Sequence, residues 1–159
     1  MSSPSGDRDR ALAWDRELTR VHELLRGALV IARASVEDAD GDTRLDLDLQ
    51  TFCVGFCAAL DGHHRGEDAS LFPALLDEHP DLADVIASLK RDHDMLSHLL
   101  GELQNALSSG AERAELDRHL DGIDAVMETH FRYEERMLLA PLRALRLSAT
   151  SAQVLGPLA

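Results

Sequence analysis

Aromatic residues are scarce in this chain, cysteine occurs only twice, and no stretch alternates apolar with polar residues as a half-buried strand requires. That absence removes sheet architectures and leaves helices. Cations are also few: 16 Lys and Arg stand against 29 Asp and Glu, for a net charge of -13, without the clustered basic residues that a phosphate backbone demands. A nucleic-acid partner is therefore not expected. No run is apolar and long enough to span a bilayer, so no membrane partner is expected either, and the opening Met1 to Arg10 lacks the apolar core of a secretory signal. The expectation is a cytoplasmic protein. Cys53 and Cys57 lie four apart on one predicted helix, where regular geometry orients two sulfurs poorly for a bridge. Buried free thiols are expected, with a redox pair or an extra metal ligand as the alternative.

What the chain does contain is helical periodicity, and its 159 residues suffice for one domain with a sizeable core. A first helix is predicted over 9–36, with Leu18, His22, Leu25, Leu29 and Val36 on one stripe. A polar turn around Gly41 follows; it lacks the twelfth-position Glu of a calcium loop. The second helix places Phe52, Phe56, Ala59, His63 and Glu67 on one face, with Pro73 breaking or kinking it. The third spans 81–107, with His93 on a leucine stripe, and the fourth spans 111–139, with Leu116, Ile123, Val126, His130, Glu134 and Met137 inward. Pro141 is expected to bend or end it. The predicted organisation is a flexible N-terminus (1–8), an all-α antiparallel bundle (9–147) and a loose C-terminal tail (148–159).

Two stretches, 61–73 and 129–141, repeat a pattern of His-x-x-x-Glu, a second acid, leucine and proline. Residues four apart lie one turn apart on a helix, so His63 with Glu67, and His130 with Glu134, aim an imidazole and a carboxylate together. Each pair follows a helix that carries its own inward histidine, His22 before the first and His93 before the second. Spacing alone is weak: with eleven glutamates and eight histidines, about half a match is expected by chance, and there are three. The third, His98 with Glu102, falls on a polar face and reads as a solvated ion pair. His119 faces inward by phase but stands about 16 Å along the axis from His130, and reads as a core or interface histidine. His64 sits on the flank of its helix, where it is a partner behind the site, an extra ligand or a polar edge.

One inward histidine is ordinarily a hydrogen-bonded core residue. Four of them with two glutamates on inward stripes would leave buried carboxylates unpaired, at several kcal/mol each, unless a cation neutralises them. A mixed imidazole and carboxylate set suits iron, manganese or zinc, and six ligands exceed one tetrahedral zinc. A dinuclear iron site is the first expectation.

The phrases His63-His-Arg-Gly-Glu-Asp-Ala-Ser-Leu-Phe-Pro73 and His130-Phe-Arg-Tyr-Glu-Glu135 resemble the signature segments of the hemerythrin-like family, the HHE cation-binding domain, over about 15–142. The resemblance implies an up-down four-helix bundle with a non-haem, oxo- and carboxylate-bridged diiron centre. In it His22, His63, His93 and His130 are terminal metal ligands and Glu67 and Glu134 bridge. Oxygen-carrying members have a second histidine on the third helix where this chain has Ser97, which leaves one imidazole fewer. That departure resembles the members linked with peroxide decomposition, nitric-oxide response or iron-sulfur repair; the expectation is catalase-like reaction with hydrogen peroxide in oxidative stress, with nearby Tyr133 or Met137 tuning it. The alternative is a binding protein or sensor for oxygen, nitric oxide or iron without turnover, and no protein partner is implied.

Overall fold

The computed structural model describes residues 12–38 and 43–159. The expected flexible terminus at 1–8, the predicted start of the first helix at 9 and the Gly41 turn lie outside the described residues. The elements are α1 (Trp14–Glu37), α2 (Thr43–Gly66), a π-helical turn (Glu67–Leu71), α3 (Phe72–Glu78), a 3-10 turn (Pro80–Leu82), α4 (Ala83–Ser108), α5 (Arg113–Ala144) and α6 (Ser151–Leu155). No strand occurs among the described residues. Helix α1 packs on α2 and α5, and α4 packs on α5 and α2, so the four long helices close a ring. Short connections make successive partners antiparallel, and the result is an up-down four-helix bundle.

The ring closes because each long helix has a stripe to bury. Helix α1 buries Leu18, Val21, Leu25, Leu29 and Val36, and His22 falls among them. Helix α4 does so with Ile86, Leu89, Leu96, Leu100 and Leu103 around His93. Helix α5 contributes Leu116, Leu120, Ile123 and Met127 below His130 and Glu134, and Leu138 above them. Cys53 and Cys57 are buried free thiols, and burial pushes the Cys57 thiol up to about 12. Such a thiol is inert at neutral pH.

The buried stripe of α2 is rotated from the one predicted. Phe52 is 43% exposed, while Leu49, Cys53, Phe56, Cys57 and Leu60 are buried. Phe56, Ala59, His63 and Glu67 are buried as expected, and Phe52 marks the edge of the face. The rotation also carries His64 inward, to 5% exposure.

Pro73 does not break the helical path. The Phe72 N–H donates to the Glu67 carbonyl five residues back, which widens one turn, and Pro73 sits at the start of α3 with no N–H to place. Pro141 likewise lies inside α5, which continues to Ala144.

The C-terminal residues are not a loose tail. Thr150 caps α6 reciprocally with Gln153, and Val154 and Leu155 are wholly buried. Single-residue periodicity could not reveal this five-residue helix, because too few turns exist to show a stripe.

The rotated stripe makes a stability test. Leu60→Ala removes a fully buried side chain and is expected to cost about 2–5 kcal/mol. Phe52→Ala should cost less than about 1 kcal/mol. Urea unfolding monitored by circular dichroism reads both, and equal losses would contradict this packing.

Candidate metal centre

Seven polar side chains are buried in the bundle core: His22, His63, His64, Glu67, His93, His130 and Glu134, none more than 5% exposed. They come from α1, α2 with its π-helical turn, α4 and α5, one level of the bundle. The six residues expected from sequence are all brought together here. Two sets of four each gather their ligand atoms within 4.8 Å of one another: His22, His63, Glu67 and Glu134, and His64, Glu67, His93 and His130. Glu67 belongs to both.

The histidines are held from behind. His22 Nδ1–H donates to Glu135 Oε1 at 2.8 Å, His63 Nδ1–H to the Leu155 carbonyl at 2.9 Å, His93 Nδ1–H to Asp68 Oδ1 at 2.9 Å and His130 Nδ1–H to Asp92 Oδ2 at 3.0 Å. Every one of these partners is an acceptor, which assigns the proton to Nδ1 and turns Nε2 toward the centre. Glu135 is itself steadied by Arg26 at 3.5 Å, and the His22 ring stacks on Phe131 at 3.8 Å between centroids.

Inside the centre the polar atoms lack partners. His22 Nε2, His63 Nε2, His64 Nε2 and all four oxygens of Glu67 and Glu134 are buried without a hydrogen bond. His22 Nε2 lies 3.2 Å from Glu134 Oε1, and His130 Nε2 lies 3.4 Å from Glu134 Oε2. Glu67 Oε1 lies 3.2 Å from His63 Nε2 and 3.5 Å from His93 Nε2. The Nε2 atoms of His93 and His130 face each other at 3.2 Å, although both rings carry their proton on Nδ1. Two facing lone pairs repel. Ligand atoms about 2.1 Å from a shared ion stand about 3.0 Å apart in octahedral and 3.4 Å apart in tetrahedral geometry. The observed separations match that range, so the donor set fits a bound cation and fits internal hydrogen bonding poorly.

Electrostatics agree. Burial, then the neighbouring His22, lowers His63 to about 3, and burial, then His93, holds His64 well below its ordinary value. Burial, then the charge of Glu134, raises Glu67 well above the usual carboxylate range. His22 is raised: burial opposes its charge, but Glu134 and Glu135 outweigh it. A metal ion would compete with the protons that these shifts favour on Glu67 and His22.

His64, whose role sequence left open, belongs to the second set with its Nε2 buried and unpartnered, and its ring stacks on His93 at 3.9 Å. Tyr133 does not join the cluster: it lines an outer cleft with Asp92, Thr129, Arg132 and Arg136, with the Arg136 guanidinium over its ring at 5.5 Å. His98 is exposed beside Glu102 at 3.8 Å, and His119 stands half-buried beside Glu115. The sequence reading missed the four acceptors behind the rings. Three had a signal, since Asp68 and Glu135 each follow a cluster glutamate and Asp92 precedes His93. The Leu155 carbonyl had none.

The raised Glu67 predicts a sign for pH. Its folded carboxyl keeps a proton that the unfolded chain releases above the ordinary value near 4.3, so this group's contribution to stability falls as pH rises from there. Glu67→Gln keeps the neutral shape at every pH. Metal-free Glu67→Gln should therefore melt higher relative to the metal-free parent at pH 9 than at pH 6, and should gain less from added metal. Identical pH dependence in thermal melts would refute the buried carboxyl.

The chain matches the family model described as the hemerythrin HHE cation-binding domain over residues 15–142. No curated protein and no solved structure matches it significantly. A match over most of the chain, on an all-helical bundle that buries two His and Glu donor sets, places this protein in the hemerythrin HHE cation-binding domain family.

Proposed function

We propose that the protein holds two iron ions in this centre and decomposes hydrogen peroxide to water and oxygen. In this reading His22, His63, Glu67 and Glu134 would hold one ion and His64, Glu67, His93 and His130 the other, with the Glu134 carboxylate also close to His130. The observation that carries it is the set of buried, unpartnered Nε2 and carboxylate atoms facing one another at 3.2–3.5 Å. Bound there, two iron ions would supply the paired one-electron redox equivalents that peroxide disproportionation needs.

The protein's own residues set the rest. Asp68, Asp92, Glu135 and the Leu155 carbonyl orient the rings and fix their tautomers. Burial restricts access to molecules of a few atoms, since no member of the cluster exceeds 5% exposure. His64 and His93 are the least covered members of the cluster. Sensing or reversible holding of oxygen or nitric oxide is the second reading, favoured by His64: it makes up the imidazole that Ser97 withholds and leaves fewer open positions.

Metal analysis of aerobically purified protein should find two ions per chain. His63→Ala and His130→Ala should lower that content, whereas His98→Ala, on the exposed face, should not. Oxygen release from peroxide, followed with an oxygen electrode, should accompany the iron. A reduced protein that forms a persistent oxygen adduct reversible under vacuum, with no peroxide turnover, would replace this reading with the second.

A further inference from the structure

The C-terminal segment lies beyond the span matched to the family, yet it reaches the centre. Three of the four pinned rings are held by carboxylates on the helical segments of the matched span. His63 alone is held by a backbone carbonyl, that of Leu155 at the end of α6. We propose that residues 150–157 are a positioning strap for His63, in which the Leu155 carbonyl fixes the imidazole as its Nδ1–H tautomer and aims Nε2 at Glu67.

The strap is built for close approach. At Gly66 a Cβ would stand 2.5 Å from the Val154 carbonyl oxygen, and at Gly156 a Cβ would stand 2.6 Å from the His63 backbone nitrogen. At Gly62 it would meet Pro157 at 2.8 Å. Glycine on both sides lets the two backbones touch beside the ligand residue. Gly156 also needs its positive φ of 92°, which turns the chain directly after the Leu155 carbonyl. The far end is anchored separately, by the Thr150–Gln153 capping box and by Ser151 Oγ donating to Glu17 Oε2 on α1 at 3.0 Å. A segment that only covered the core would need Val154 and Leu155 buried; it would not need glycine at three facing positions or a carbonyl aimed at one imidazole.

Gly110 provides a control. Its φ is also positive, at 71°, but a Cβ there meets nothing within 4 Å, at the α4–α5 turn far from the centre in the chain. Gly156→Ala carries the greater backbone strain, because φ 92° with ψ −171° is a region essentially confined to glycine, so Gly110→Ala controls for a positive-φ substitution away from the strap and Gly66→Ala, on a regular helix, for strain. In metal-free protein, long-range proton–nitrogen correlation spectra of the imidazoles report each tautomer. Gly156→Ala should convert His63 from Nδ1–H alone to a mixture, and should weaken zinc binding, followed by calorimetry, by about tenfold to a hundredfold. Gly110→Ala should leave both unchanged. Gly66→Ala gives an independent reading: alanine ordinarily favours a helix over glycine, so a loss of zinc affinity there would be opposite in sign to helix propensity.

Folded Gly156→Ala with unchanged His63 tautomer and zinc affinity would overturn the proposal. If that variant does not fold, the unsubstituted protein decides: a His63 carrying its proton on Nε2 would overturn the strap, and Nδ1–H coupled across the hydrogen bond to the Leu155 carbonyl would support it. The proposal rests on the metal-centre reading for its purpose, but the two fail separately. Absence of zinc or iron binding in the unsubstituted protein would reject the metal centre while leaving the tautomer result standing.

Discussion

Two carboxylates and five imidazoles buried at one level of a helical bundle are the constraint on which the rest depends. Unpaired, each buried carboxylate costs several kcal/mol. Neither Glu67 nor Glu134 has a hydrogen bond, and the His63 and His93 nitrogens that face Glu67 have their protons on the opposite side of the ring. A cation at this level would neutralise both carboxylates. Family membership, donor chemistry and the orphaned atoms point to the same occupant class by separate routes.

The acceptors behind the rings matter as much as the donors. A free imidazole chooses between two tautomers and rotates about its side-chain bonds. Glu135, Asp68 and Asp92 remove that freedom for His22, His93 and His130, and the Leu155 carbonyl removes it for His63. Arg26 extends this outward: it binds Glu128 at 2.7 Å, approaches Glu135 and covers Phe131, so the α1–α5 contact and the orientation of His22 share one guanidinium. Bundle packing and site geometry are one network on that side.

The π-helical turn shows how local irregularity serves the site. Glu67 opens it and Pro73 follows it, so the helix that supplies His63, His64 and Glu67 widens where its carboxylate enters the centre and continues without a break. Proline read from sequence suggests termination. Here the wider turn accommodates the missing donor instead.

All-helical class, four-helix architecture, six of the cluster residues and the exclusion of His98 follow from sequence, because helical spacing maps position to face with little ambiguity over six or seven turns. Phe52 and His64 lie at opposite edges of the α2 face, and which edge is buried depends on what α1 and α4 present to it, which no single helix encodes. Tyr133, next to Glu134 in the chain, is turned about 100° away around α5 and lines the outer cleft with Asp92. Only the tertiary structure could join Leu155 to His63 across 92 residues, because a backbone carbonyl carries no side-chain identity and its direction is set by where α6 ends against α2.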